Sequence, residues 1–293
     1  MYQTTIGVGK RSRELYEFFW QQPSRIEVLR AIYNSGGISR AEIARETGLT
    51  KVTVSEIVSR LTQFGLTEES APQRSNSVGK PPILVQIMRD SLRTIAIDAS
   101  STDSLSIGSV DLYGRVLSRR LIELGPLDEE ALIEELKIAI SAELSERDEV
   151  VVGIGIGVAG VVDSHGNVVD AAALGTRNLP LQKRLTEVFG IEVRVGNDAN
   201  VATKADALFG SGHSSQLLVR IGRGVGAGLI LDGESYLGVN FAAGELGHVV
   251  VVPGGVICNC GKQGCLEAEI AHLMKSGSYS SETAGELLGR VIA

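Results

Sequence analysis

The chain has 293 residues, 43% of them hydrophobic and 22% charged, which gives it length for two domains or one large one and excludes global disorder. No apolar run is long enough to span a membrane, and no apolar segment with a cleavage site opens the chain, so a cytoplasmic protein without a signal peptide is expected. The net charge of −7 is unevenly spread: residues 1–89 hold 12 Lys/Arg against 8 Asp/Glu, and residues 90–293 hold 16 against 27. A basic head on an acidic body implies that only the head touches a polyanion.

Residues 1–88 are expected to form an all-α winged helix-turn-helix domain. Ile26, Leu29, Ile32 and Tyr33 recur at helical spacing, and Gly36-Gly37 ends that helix. Ser39 and Glu42 form a capping box for a second helix that Gly48 stops. Thr50 caps a third, which ends at Gly65. Ala44 is small where two helices must cross, and Leu49, Val54 and Ile57 face back toward the second helix. This leaves Thr50, Lys51, Thr53, Ser55 and Ser59 among the more exposed positions of the third helix, short donors suited to base edges and phosphates in a major groove. Two extended runs then flank a polar loop with Arg74, Gly79 and Lys80, a wing whose basic tip suits backbone phosphates or the minor groove. The bland reading of the head is a small helical module for protein contacts.

From residue 89 to 293 the pattern changes. Three consecutive strands precede a helix beginning near Asp128, and strands and helices then alternate through the glycine-spaced strands before residue 233. This order predicts an α/β body with a mixed sheet, its first lobe about 89–196 and its second about 197–293. Gly155, Gly157 and Gly160 match GxGxxG, but a turn and another strand follow where a dinucleotide site needs a helix, so that reading is rejected.

Cys258, Cys260 and Cys265 are the only cysteines, three thiols within eight residues. An odd count in a cytoplasmic chain argues against a structural disulfide. Zinc takes four soft or borderline ligands, and His248 is the nearest candidate for the fourth. A closed shell of four protein ligands makes this a structural zinc with no position for a bound water. Reduced thiols beside an unrelated histidine are the alternative.

Gly244-Glu-Leu-Gly-His248, nine intervening residues and Cys258-x-Cys260-Gly-x-x-Gly-Cys265-Leu-Glu267 resemble the zinc signature of the ROK family of repressors, open reading frames and sugar kinases. The resemblance covers roughly residues 15–270. It implies an actin-like, ribonuclease-H-like ATPase fold. A winged head on that body resembles the repressor branch, whose members respond to xylose and N-acetylglucosamine. The resemblance places Asn197 and Asp198 in the sugar-binding motif, with Asp198 where kinases keep their base. Glu245, His248 and Glu267 match residues that hold further sugar hydroxyls, and Asn178 is another expected contact. Carboxylates and an amide each suit vicinal hydroxyls. The alternatives are a helix cap at Asn197-Asp198, a loop charge at Glu245 and a solvated helix carboxylate at Glu267.

The second phosphate loop of a family kinase survives in Gly222-Arg-Gly224-Val-Gly226-Ala-Gly228. The first, Asp-x-Gly-Gly-Thr-Lys, is replaced by Asp98-Ala-Ser-Ser-Thr102-Asp103. Without its glycines the backbone cannot approach a phosphate closely, and Asp103 puts negative charge beside it. The expected protein is therefore no enzyme but a sugar-responsive repressor that binds an operator duplex as a homo-oligomer, with a shortened and incomplete second lobe. The rivals are an ATP-dependent sugar kinase with a regulatory head and a zinc-stabilised scaffold that binds a partner protein.

Overall fold

The computed structural model describes residues 10–20, 22–70, 82–125, 128–145, 150–171, 174–222 and 224–292. The head comprises α1 (Lys10–Trp20), α2 (Pro23–Ser35), β1 (Ile38–Ser39), α3 (Arg40–Thr47), α4 (Lys51–Gln63), β2 (Thr67–Ser70) and β3 (Leu84–Ile87). The capping box is present: the Ser39 hydroxyl accepts from the Glu42 N–H, and the Glu42 carboxylate accepts from the Ser39 N–H. Gly48 takes φ +69° at the turn into α4, a conformation other residues adopt at a cost. Val54, Ile57, Val58 and Leu61 bury one face of α4 against Ile43 of α3 and Val28 and Ile32 of α2. The expected phase of α2 is partly corrected: Ile26 is 45% exposed, and Val28 and Ala31 take the core face with Ile32. The strands pair antiparallel in the order β1-β3-β2 and form the base of a wing. Its proposed tip residues Arg74 and Lys80 lie outside the described residues.

The body begins with β4 (Leu92–Ala99), β5 (Ser104–Asp111), β6 (Val116–Glu123), α5 (Glu129–Ser145) and β7 (Val150–Val158). The small strands β8 (Val161–Val162), β9 (Val168–Ala171) and β10 (Thr176–Leu179) follow, then α6 (Leu181–Phe189), β11 (Val193–Asn197) and α7 (Asp198–Phe209). The second lobe continues with β12 (Gln216–Ile221), β13 (Val225–Leu231), β14 (Glu234–Ser235), α8 (Leu266–Ser276) and α9 (Ser281–Ile292). The first lobe's sheet runs β11-β7-β4-β5-β6; β11, β7 and β4 are parallel, and β5 and β6 are antiparallel additions. Gly155 and Gly157 lie inside β7 with strand β8 beyond them, which agrees with rejecting the dinucleotide motif.

Leu132, Leu136 and Ile140 of α5 and Leu181, Leu185 and Phe189 of α6 are buried in one cluster with Ile95, Ile97, Leu105 and Ile107 of the sheet. Each such side chain contributes about 1.5–3 kcal/mol by leaving water. One polar knot interrupts the core. Arg93 on β4 donates to the Ser109 hydroxyl at 2.6 Å and to the Glu143 carbonyl at 3.1 Å. The Glu143 carboxylate accepts from Ser109 and Ser118 and lies 3.7 Å from the guanidinium of Arg93.

The head rests on the end of this sheet where β4 and β7 begin. Leu92 and Val150 join the head's apolar cluster, and the Val151 N–H donates to the Ser12 hydroxyl of α1 at 3.2 Å. Tyr33 donates to the Leu112 carbonyl at 2.7 Å and stacks on Tyr113, with ring centroids 5.4 Å apart. Phe209, at the far end of α7, packs against Gly114 in the same turn.

Candidate functional site

At the opposite end of the sheet, the parallel strands β4, β7 and β11 finish together, with Asp98 level with Gly157 and Asn197 level with Val158. The carboxyl ends of parallel strands are the usual place for a ligand in an α/β sheet. Here they open into a cleft of about 1010 Å³ whose other wall comes from the second lobe.

Asn197, Asp198, Glu245, His248 and Glu267 all line this cleft. Asn197 caps α7: its side-chain oxygen accepts from the Asn200 N–H at 3.0 Å, and its amide donates to the Gly160 carbonyl at 3.0 Å. The capping role is thus present, and it orients the next residue into the cleft. Glu267 stands in the first turn of α8, and its carboxylate accepts from the Val225 N–H at 2.9 Å. It thereby anchors the glycine-rich segment, where Gly224 leaves room for the carboxylate that a Cβ would take. Glu245 precedes the short turn Leu246–His248. Burial pushes its carboxyl up and His248 opposes the shift, while Glu267 and Asp198 reinforce it. Asp198 is likewise raised by burial, with Arg220 acting against it. Asn178 takes φ +53° and is exposed; its neighbour Arg177, rather than Asn178 itself, lines the cleft.

His248, Cys258, Cys260 and Cys265 offer ligand atoms that all lie within 4.8 Å of one another. Cys258 Sγ is 3.6 Å from His248 Nδ1, and Cys260 Sγ is 3.6 Å from Cys265 Sγ, too far for a disulfide. The local fold that gathers them is a knot of isolated bridges, Val250 with Cys265 and Ile257 with Gln263. Gly264 is required there: its φ is +78°, and a Cβ would collide with the Val252 carbonyl. Burial and the neighbouring thiols push Cys265 up to about 12, while the backbone hydrogen bond from Lys262 pulls exposed Cys260 down. Thiols drawn together in this way become thiolates when a cation compensates them. The donor set fits a metal, and His248 and Cys260 belong both to the cluster and to the cleft wall.

On the head, Thr50 caps α4, and its hydroxyl shares a hydrogen bond with that of Thr53 at 2.9 Å. Lys51 is exposed at the start of the helix, and Ser55 is half-buried one turn on.

Two features escaped the sequence reading. Val52 is 67% exposed at the front of α4, an apolar group of the kind that meets a thymine methyl. Arg220 reaches into the cleft; its signal was a lone charge in an apolar strand just before the glycine-rich segment. Among the described residues, no helix is long and apolar enough to cross a membrane.

Comparison with known proteins agrees with this architecture. The ROK family model matches residues 94–275, and the MarR family model matches residues 22–73. A xylose repressor from Caldicellulosiruptor bescii is 31% identical over 255 residues, covering 84% of this chain and 63% of the repressor. The chain thus spans about 63% of the length of that relative. A glucokinase from Halalkalibacterium halodurans is 34% identical over 182 residues, which cover 59% of this chain and 54% of the kinase. The crystal structure of a ROK family transcriptional regulator, a homologue of the Escherichia coli MLC protein, superposes with a TM-score of 0.70 at 26% identity, covering 90% of this chain and 70% of that one. A MarR-like winged helix-turn-helix head is therefore joined to an actin-like body, and the chain belongs to the ROK family.

Proposed function

We propose that this protein is a sugar-responsive repressor of carbohydrate genes, whose body holds a monosaccharide and a structural zinc while its head reads operator DNA. The observation that carries the reading is the shared wall: His248 and Cys260 stand both in the metal cluster and in the cleft. Zinc would be held by His248, Cys258, Cys260 and Cys265, and would supply fixed coordination without chemistry on the sugar. His248 ligates through one ring nitrogen and offers the other to a sugar oxygen. Glu245, Glu267 and Asp198 accept from sugar hydroxyls, Asn197 sets the direction of Asp198, and Asn178, next to Arg177 of the cleft wall, is the expected further contact.

The wild-type cleft is no phosphoryl-transfer site in this reading. Asp198 stands where a kinase keeps its base, yet Arg220 donates to it, and the first phosphate loop carries Ser100, Ser101 and Asp103 in place of glycines and lysine. The test uses D-xylose, D-glucose and N-acetyl-D-glucosamine. At least one is expected to raise the unfolding midpoint, as a ligand that prefers the native state does, and none to release ADP from ATP. Sugar-dependent ADP release would make the protein a kinase. Unfolding midpoints indifferent to every sugar would favour a scaffold.

Lys51, Ser55, Thr50 and Thr53 contact DNA, with Arg74 and Lys80 from the wing. A homo-oligomer places paired α4 helices on half-sites about 34 Å apart or a multiple of it. Sugar shifts DNA affinity only by the difference between its affinities for the two states, and release of the operator is the expected sign. Thr50→Ala would also remove a helix cap, so Lys51→Ala is the cleaner variant. It is expected to weaken binding across all DNA sequences and to lower the salt slope by about 1 in fluorescence-anisotropy titrations. An unchanged slope would remove Lys51 from the interface.

A further inference from the structure

Arg220 is a cleft side chain whose bonds reach from one lobe to the other. It leaves β12 of the second lobe and donates through Nη1 to the Asp198 carboxylate at the start of α7. Its Nη2 donates to the Ser100 hydroxyl at 3.1 Å and stands 3.8 Å from Asp98 Oδ2, both on the first lobe. The Ser100 N–H in turn donates to Asp98 at 3.0 Å. One guanidinium thus sits between two carboxylates that would otherwise face each other across the mouth of the parallel strands.

The surrounding charge decides what this arrangement admits. Asp170, Glu245 and Glu267 line the same cleft as Asp98 and Asp198, so among the described residues five carboxylates share it with the two guanidinium groups of Arg177 and Arg220. Arg220 is already engaged by two of those carboxylates, so its own charge is not free to meet a phosphate. An anionic ligand must break these contacts and enter a negative enclosure. An uncharged ring of hydroxyls need only share the free lone pairs of carboxylates that the arginine has fixed in place.

We propose that Arg220 is the specificity-determining and positioning residue of the cleft: as a built-in counter-cation it orients Asp98 and Asp198 toward an uncharged monosaccharide and makes the site refuse phosphorylated sugars. The proposal rests on the reading of the cleft as a sugar site and adds to it the class of sugar. Among the described residues, Asp198 shares the cleft with Asp98 of β4, Arg220 of β12, Glu245 and His248 at the turn and Glu267 of α8, and Arg220 is the cation that bonds to it. Removing Arg220 must therefore raise the pH at which Asp198 takes up a proton.

The experiment compares the full chain with Arg220→Ser and Arg220→Lys. Calorimetric titrations use D-xylose, D-glucose, N-acetyl-D-glucosamine, glucose 6-phosphate and N-acetylglucosamine 6-phosphate, and the Asp198 carboxyl is followed by carbon NMR against pH. The wild type is expected to bind a neutral sugar and not its phosphate. Arg220→Ser is expected to lose roughly tenfold or more in that affinity, since a hydrogen bond to a charged group is lost. The remaining binding should fail with acid at a higher pH than in the wild type, and Arg220→Lys should recover part of both. Preference of the wild type for a sugar phosphate overturns the proposal. So does an Asp198 titration unchanged in Arg220→Ser, a readout that decides Arg220's role even if no sugar binds and the sugar reading itself falls.

Discussion

Cys265→Ser is expected to abolish stoichiometric zinc and to unfold the loop between His248 and α8 at neutral pH. Cys265 is fully buried at the N-cap of α8, and its N–H and C=O neighbourhood carries the bridge to Val250. A four-ligand zinc contributes on the order of 10 kcal/mol to the folding of the segment that supplies the ligands. Few apolar contacts are available to replace it: the cluster around the knot consists of Cys258, Cys265 and Ala268 with part of Val256. Atomic emission on the purified chain should find zinc, and a strong chelator should lower the unfolding midpoint of the wild type but not of Cys265→Ser. Because Glu245 and Glu267 flank the knot, sugar binding should vanish together with the metal. Metal-free protein with the wild-type midpoint would sink both the zinc and the cradle argued from it. Acid should act in the same direction as the chelator, since protons compete for the thiolates and for His248.

The degree to which the chain announced this arrangement differs by element. α3 and α4 were legible because caps, turn glycines and apolar spacing all lie within a few residues of one another, and Ser39, Glu42, Gly48 and Thr50 each do what their chemistry dictates locally. The His248 and cysteine cluster was legible for a similar reason: rare residue types stand close in sequence. α1 was not, because its buried Leu15 and Phe18 pack into a cluster assembled from several separate elements of the head, and its Ser12 bond reaches Val151, over a hundred residues away. Arg220 was missed for the same cause. Its three partners are Asp98 of β4, Ser100 just beyond that strand and Asp198 of α7, and only the closure of the sheet brings them to one guanidinium. Asn197 shows the reverse case, in which the plain helix cap and the cleft position are one arrangement rather than alternatives.

The same long-range logic governs the second large effect, which lies away from the cleft. Glu143 on α5 is 1% exposed and Arg93 on β4 is fully buried. Burial alone would push the Glu143 carboxyl up, but the Ser109 and Ser118 hydroxyls, with Arg120 and Arg93, outweigh it and hold the group below the usual carboxylate range. Glu143→Ala takes away the carboxylate and leaves the guanidinium of Arg93 buried without its counter-charge, which costs about 3–5 kcal/mol. The expected loss in unfolding midpoint is roughly 10 °C, read by circular dichroism at neutral pH. A double replacement of Arg93 and Glu143 by Met and Leu removes both charges at once and should recover most of that loss, because two desolvated ions are exchanged for apolar packing. The pH dependence has a fixed sign. A carboxyl whose folded-state value is lowered adds stability above its unfolded value and loses it as pH falls through the folded one. The gap between wild type and Glu143→Gln should therefore be widest at neutral pH and narrow steadily in acid. A gap that stays constant would mean that the knot acts through packing and hydrogen bonds alone, and a Glu143→Ala variant as stable as the wild type would mean that the buried pair holds nothing together.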